Sequence, residues 1–217
     1  MSDFRIGGLV LGQIQTNCYF VWNDDTREAL IVDPADRADA IVTRMRQEGL
    51  NPVAILLTHG HADHIMAVPR LKELLNIPVY AGEKEKELLA DGQANLTGSW
   101  MSEPITFEAD VWVKDGDILD LCDFRIKVFE TPGHTEGGVC YYFEEDKILL
   151  CGDTLFRGSY GRDDLPGGNG RKLADSIKRL LTELPEDVQC CPGHGPTTTV
   201  EYEFRHNPMS CHLGLKK

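Results

Sequence analysis

Short apolar runs alternate, in the first part of the chain, with stretches whose apolar residues recur at helical spacing. Ala29-Leu30-Ile31-Val32 reads as a buried strand that stops at Asp33-Pro34. From about Asp36 to Glu48, the residues Ala38, Ile41, Val42 and Met45 share one helical face, and Gly49 supplies a C-terminal stop. Val53 to Leu57 is a second apolar strand. A second helix follows, with Pro69 in its first turn and Leu71, Leu74 and Leu75 turned inward. Pro78 to Ala81 is a third short strand. This βαβαβ order with short connections predicts partly parallel pairing. Between Val111 and Leu150 the pattern changes to short β-rich segments broken at Asp115-Gly116, Pro132-Gly133 and Glu144-Glu145-Asp146, which predicts antiparallel strands. A last helix, from about Arg171 to Glu183, faces Leu173, Ile177, Leu180, Leu181 and Leu184 inward, and a strand follows at about Val188 to Cys191. The sum is a mixed α/β chain whose sheets need helices on their outer faces.

Composition narrows this only a little. An apolar fraction of 41% and a charged fraction of 26% suit a folded domain with a core. No internal repeat, low-complexity segment or long linker divides the chain, so residues 1–217 are expected to form a single domain. The net charge of −13 disfavours binding to nucleic acid or an anionic membrane surface. The N-terminal MSDFRIGGLVLG does not read as a signal peptide, and no run reaches the length of a membrane span, so the expected location is the cytoplasm. Cys18, Cys122, Cys140, Cys151, Cys190, Cys191 and Cys211 are odd in number and show no repeated spacing. They are expected to be free thiols, most of them buried, including the vicinal pair Cys190-Cys191.

The candidate chemistry is concentrated in Thr58-His59-Gly60-His61-Ala62-Asp63-His64, directly after the strand ending at Leu57. In an extended segment His59 and His61 point to one side, and Asp63 would keep that phase. His64 breaks it, which predicts a turn that aims its ring elsewhere, so one short segment can feed two adjacent metal ions. A lone histidine is usually a satisfied core or surface residue. Imidazoles and a carboxylate crowded at a strand end are costly to bury without a partner. Further candidates stand at strand ends or proline-glycine turns: His134 in Thr131-Pro132-Gly133-His134, Asp153 in Cys151-Gly152-Asp153, and His194 in Pro192-Gly193-His194-Gly195-Pro196. His206 and His212 lie in a polar tail and read as surface residues.

With Asp33 after a strand, the HGHADH cluster, His134, Asp153 and His194 in this order, the sequence resembles the metallo-β-lactamase fold superfamily over nearly its whole length. The resemblance implies an αββα four-layer sandwich. It implies that His59, His61 and His134 bind one metal, that Asp63, His64 and His194 bind a second, and that Asp153 bridges them. Asp33 would orient the site from behind the ligands. The nitrogen and oxygen donors suit two divalent ions, zinc first, with iron or manganese as alternatives. Such ions lower the pKa of a shared water toward ~7 and hold it as a hydroxide nucleophile. Asp63 would be the catalytic carboxylate that orients it or takes its proton.

Gly152-Asp153-Thr154-Leu155-Phe156, the PGHGP turn, the Gly161-Arg162-Asp163-Asp164 loop and the ending Arg205-His206-Asn207-Pro208 are similar to glyoxalase II-type thioesterases and their small bacterial relatives. This implies hydrolysis of an S-acyl thiol such as S-lactoylglutathione, a small-molecule thioester. Arg162 and Tyr160 are the candidate substrate-facing residues, although Arg162 equally suits a salt bridge to Asp163 or Asp164. Full-length glyoxalase II carries a further C-terminal helical domain that helps to bind glutathione. This sequence ends at Lys217, which predicts that no such domain grips the thiol. The rivals are a mononuclear iron persulfide dioxygenase, a zinc β-lactamase, and a non-catalytic binding module on the same fold. The last should have lost ligands, and here every position is filled. A ribonuclease of this superfamily would need added domains and a basic groove.

Overall fold

A computed structural model describes residues 3–215. The first sheet takes its strands in chain order: β1 (Phe4–Leu11), β2 (Thr16–Asn23), β3 (Glu28–Val32), β4 (Asn51–Leu56), β5 (Val79–Gly82) and β6 (Val111–Val113). The β3–β4 and β4–β5 pairs are parallel, as the βαβαβ pattern predicted, whereas β6, at the start of the Val111–Leu150 stretch expected to be antiparallel, joins this sheet and pairs parallel with β5. The antiparallel hairpin of β1 and β2 was not legible in the pattern. Its first strand alternates half-buried and exposed residues and carries Gly7 and Gly8, so it lacks an apolar run.

The second sheet comprises β7 (Ile118–Leu121), β8 (Phe124–Glu130), β9 (Val139–Phe143) and β10 (Ile148–Gly152). A small hairpin, β11 (Leu155–Phe156) and β12 (Ser159–Tyr160), stands apart from it. The sheet is completed by β13 (Gln189–Pro192) and β14 (Thr198–Thr199), in the order β14-β13-β10-β9-β8-β7.

Helices cover the outer faces. On the first sheet lie α1 (Ala38–Gln47) and α3 (Val68–Leu75), with the single-turn α2 (Ala62–Ile65) between them in the chain. Two short helices, α4 (Lys86–Ala90) and α5 (Thr97–Trp100), occupy the connection to β6. The long α6 (Gly170–Glu183) packs on the second sheet, and α7 (Val200–His206) and α8 (Pro208–His212) follow. These last two correct the expectation that α6 is the final helix. Each is too short to show a helical period, and side chains of Thr199 and Asn207 cap them. Leu74 is a second correction: it is 37% exposed at the end of α3, where Asn76 turns left-handed and stops the helix before another turn can cover it.

Three apolar layers hold this stack together. Ile41, Met45 and Leu71 pack with Ile31 and Ile55 under the outer helices. Leu30, Leu56, Val128 and Tyr141 meet between the sheets, and Leu173, Ile177 and Leu180 meet Phe129 and Leu149 on the far side. Each such side chain contributes about 1.5–3 kcal/mol when fully buried. The result is the αββα sandwich that the family resemblance implied, with helices on the outer sheet faces as the pattern required. Cys211 is exposed and the other six cysteines are buried free thiols. No helix among the described residues is long and apolar enough to cross a membrane.

Strand direction brings the chemistry to one edge. Because β8 and β10 are both antiparallel to β9, they run the same way, and β13 runs parallel to β10. Their C-terminal ends therefore lie together, and these ends carry His134, Asp153 and His194. The end of β4 joins them through bonds across the sandwich: Val139 N donates to the Thr58 carbonyl at 2.8 Å, and the Tyr141 hydroxyl donates to the Leu57 carbonyl at 2.9 Å.

Candidate metal centre

The segment after β4 leaves the sheet extended, with His61 at φ −72° and ψ 151°, and then winds directly into α2. Asp63 and His64 thus lie on a helical turn, closed by His64 N donating to the His61 carbonyl at 2.9 Å. The strand alternation expected to continue through Asp63 ends at His61. The turn expected at His64 begins earlier and aims Asp63 and His64 together at a second donor set.

The donors form three overlapping groups: His59, His61 and His134; His59, His64 and Asp153; and Asp63, His64 and His194. Within each group the ligand atoms lie within 4.8 Å of one another. Asp153 reaches across them, with Oδ1 3.4 Å from His64 Nε2 and Oδ2 3.6 Å and 3.5 Å from His134 Nε2 and His194 Nε2. His59 Nε2, His61 Nε2, His64 Nε2 and Asp153 Oδ1 are buried with no hydrogen-bond partner. Buried polar atoms are ordinarily satisfied, and several facing one centre fit shared cations. His61 Nδ1 and His134 Nε2 stand 2.9 Å apart, so the two rings of this donor set already face each other. The site therefore fits divalent metal, and the nitrogen and oxygen donor set is the one foreseen from sequence.

Supporting residues fix each ligand. Asp33 Oδ1 accepts from Thr58 N at 2.8 Å and Oδ2 from the Thr58 hydroxyl at 2.7 Å. That hydroxyl is 3.1 Å from His59 Nδ1, and Asp33 Oδ2 is 3.0 Å from His64 Nδ1. One buried carboxylate thus touches Thr58, which stands against His59, and the His64 ring. His134 Nδ1 donates to the Arg162 carbonyl at 2.7 Å, which leaves Nε2 for the centre. Gly193 is required by contact: a Cβ there would lie 2.2 Å from Asp153 Oδ1 and 2.7 Å from a His64 ring carbon. Gly152, at φ +45°, packs against the Thr58 side chain, where a Cβ would lie 2.3 Å from Oγ1.

Two supports were missed in the sequence. Thr16 and Asn17, at the start of β2, clamp the far side: the Thr16 hydroxyl donates to Asp63 Oδ2 at 3.0 Å, and Asn17 Nδ2 donates to the carbonyls of Pro192 at 3.0 Å and Gly195 at 2.9 Å. Glu85 is fully buried and accepts from Gly60 N at 2.6 Å and Gly137 N at 2.8 Å, which joins the ligand segment to the loop after His134. Burial raises its carboxyl pKa. A glutamate in a charged run gives no sign of burial, and Thr-Asn opening a strand reads as ordinary turn chemistry.

Electrostatics follow from crowding. Burial, and then its histidine neighbours, push His61 down to about 3. Burial would raise the Asp63 and Asp153 carboxyls, but His64 and His194 outweigh it and hold both well below the usual range. His194 is opposed by burial and raised to about 9 by Asp153 and Asp63. Burial opposes charge on His64 as well, but Asp63, Asp33 and Asp153 raise it well above the ordinary histidine value, so the carboxylates hold His64 and His194 as cationic partners while burial pushes His59, His61 and His134 down.

The centre forms the floor of a 570 Å³ pocket. Tyr160 stands on its rim, 37% exposed. Arg162 also lines it, but its guanidinium forks Asp164 at 2.6 Å and 2.8 Å, the loop salt bridge that the sequence also allowed. The β11–β12 hairpin forms part of one wall and is tied from behind. Glu203, fully buried in α7, accepts from Gly158 N at 3.0 Å, the Thr198 hydroxyl at 2.6 Å and Asn207 Nδ2 at 2.7 Å. Asn207 Nδ2 also donates to the Ser159 carbonyl at 2.8 Å. His206 and His212 are exposed in the tail helices, as expected.

The family model of the metallo-beta-lactamase superfamily matches residues 11–194, and the chain belongs to that superfamily of metal-dependent hydrolases. The Bacillus subtilis protein named "Probable metallo-hydrolase YqgX" is 40% identical over 92% of this chain and 94% of its own length. Hydroxyacylglutathione hydrolase GloC of Haemophilus influenzae is 35% identical over 90% of this chain and 92% of its own. Among solved structures, BLEG-1 B3 metallo-beta-lactamase superposes with a TM-score of 0.89 at 42% identity, covering 95% of this chain and 99% of that one. TTHA1623 in a di-iron-bound form gives 0.83 at 37%, covering 93% and 98%. ETHE1 from Myxococcus xanthus gives 0.78 at 27%, covering 97% and 88%.

Proposed function

We propose that the protein is a binuclear thioesterase that hydrolyses a small-molecule S-acyl thiol, with S-lactoylglutathione as the reference substrate. The observation that carries this is the pair of donor sets joined by Asp153 on the floor of an open pocket. The relative named hydroxyacylglutathione hydrolase adds the substrate class. In this reading His59, His61 and His134 hold one divalent ion, Asp63, His64 and His194 hold the other, and Asp153 serves both. Bound ions, zinc by preference, would supply Lewis acidity and a water acidified toward ~7.

The chain does the rest. Asp63, kept ionised and fixed by Thr16, orients the attacking water and takes its proton. The water oxygen forms the new bond to the acyl carbon. The C–S bond breaks with its electron pair on sulfur, the thiolate takes up the proton held by Asp63, and the acid formed releases its remaining proton to solvent, giving a carboxylate and a free thiol. Neither nucleic acid nor membrane is part of this reading, and the expected site of action remains the cytoplasm.

The likeness to ETHE1 keeps a mononuclear iron persulfide dioxygenase as the second reading. It leaves Asp63, His64 and His194 without a purpose, although they converge as closely as the first set. The likeness to BLEG-1 makes a β-lactam the natural control substrate. The test is metal content by mass spectrometry alongside cleavage of S-lactoylglutathione. Two ions per chain with thioester cleavage is the expected result. Metal-loaded protein that cleaves no thioester would overturn the proposal, and a single iron with oxygen uptake on a persulfide would replace it.

A further inference from the structure

Above the metal floor, the pocket is walled by Ile14, Leu96, Trp100, Phe156, Tyr160 and Leu165. They come from separate segments: the turn between β1 and β2, the segment entering and forming α5, the β11–β12 hairpin and the loop after it. Ile14 is 48% exposed and Trp100 44% exposed. Single exposed apolar residues are ordinary, but a convergence of them around one opening marks a binding surface. Arg162 is the only lysine or arginine among the described lining residues, and Asp164 already occupies its guanidinium.

Leu96 is the most telling of the six. Its backbone lies at φ +71°, a region that favours glycine or asparagine. The strain is held by neighbours on both sides. Asn95 is fully buried, accepts from Thr97 N at 3.0 Å and the Thr97 hydroxyl at 2.7 Å, and donates to the Ile105 carbonyl at 2.9 Å. The Asn95 carbonyl in turn accepts from Ala62 N at 2.8 Å, inside the ligand motif itself. A bulky apolar side chain is thereby kept on a left-handed turn and locked in register with Asp63 and His64. Backbone strain maintained by surrounding structure points to a role for the side chain.

We infer that these walls form an acyl subsite for uncharged apolar groups, so that thioesters of aromatic or aliphatic acids are the substrate class, ahead of short hydroxy acids; this rests on the thioesterase reading. An apolar acyl group removes the exposed wall residues from water, while an anionic group meets no free cation on the walls.

The test compares S-phenylacetylglutathione with S-lactoylglutathione, two thioesters of one thiol, on the zinc-loaded protein. We expect kcat/KM for the phenylacetyl ester to be higher by about 10-fold or more. Leu96→Gly should bring that ratio down toward one without lowering Tm, because glycine adopts this backbone freely. Trp100→Ala, at an exposed position, should lower the ratio as well. A readout free of turnover is intrinsic fluorescence with S-benzylglutathione and S-methylglutathione, which have no scissile carbonyl, using Trp100→Phe to assign the signal. Tighter binding of the benzyl thioether with no thioester cleaved would keep the subsite and remove the thioesterase reading. Lactoyl turnover equal to or above phenylacetyl turnover, with the two thioethers bound alike, would overturn the subsite and leave the thioesterase standing. A ratio unmoved by both Leu96→Gly and Trp100→Ala would likewise overturn the assignment of these walls.

Discussion

The floor and the rim of the pocket are built on opposite terms. The floor gathers buried and half-buried polar side chains beyond the ends of sheet strands, and several are fixed by a neighbour: Asp33 behind Thr58 and His64, Thr16 on Asp63, the Arg162 carbonyl on His134. The rim presents partly exposed apolar side chains on short turns held by a few ties, chiefly Asn95 to Ala62 and Glu203 to Gly158. A floor residue is therefore coupled to several others, whereas a rim residue can change with little effect on its neighbours. Such a division lets one reaction centre serve different substrates by changes in the loops.

The sharpest way to break this comparison is to cut the floor at its shared residue. Asp153→Ala should lose metal and activity together, beyond the ~10–100-fold typical of an outer partner. Metal content by mass spectrometry checks it, and an unchanged content would refute the bridging assignment. Asp33→Ala comes next. It leaves the Thr58 N–H and hydroxyl without their acceptor, at about 1–3 kcal/mol per buried group, and should weaken metal affinity by ~10–100-fold. Urea denaturation and chelator competition measure the two effects. Affinity equal to the parent's would show that Thr58 and His64 hold their geometry without it.

Glu203→Gln tests the rim from behind. The amide sets an N–H against donors from Gly158, Thr198 and Asn207, so stability should fall by about 1–3 kcal/mol. KM should rise more than kcat falls, with metal content unchanged. Loss of metal would mean that the hairpin and floor are one unit. The smallest effect belongs to Arg162→Ala. Its side chain and that of Asp164 are 61% and 65% exposed, and His134 needs only the backbone carbonyl. KM should move less than ~3-fold, as for most exposed ion pairs. A tenfold rise would show that the guanidinium leaves Asp164 for the substrate.

The two regions also differed in how plainly they could be read. The ligands stand beside strands with strong apolar runs, and a run of histidines and a carboxylate has few other uses, so the floor was legible. Asp33, at the end of β3, was legible for the same reason. Thr16, Glu85 and Glu203 are common residue types in unremarkable contexts, and their roles arise from contacts across long stretches of chain. Leu96 lies in a segment with no clear period, and its left-handed backbone leaves no trace in residue type.

Beyond the αββα layering that the family resemblance implied, the sequence by itself determined much of the alternation of strands and helices and the candidate metal-binding side chains. Local periodicity and donor chemistry suffice for these, because each is a property of a few consecutive residues. Tertiary structure alone decided that Asp63 and His64 sit on a helical turn, that Asp153 reaches both donor sets, and that Arg162 pairs within its loop. Those outcomes depend on strand direction, on close approach at Gly152 and Gly193, and on which buried groups find partners, all of which are settled only when distant segments pack.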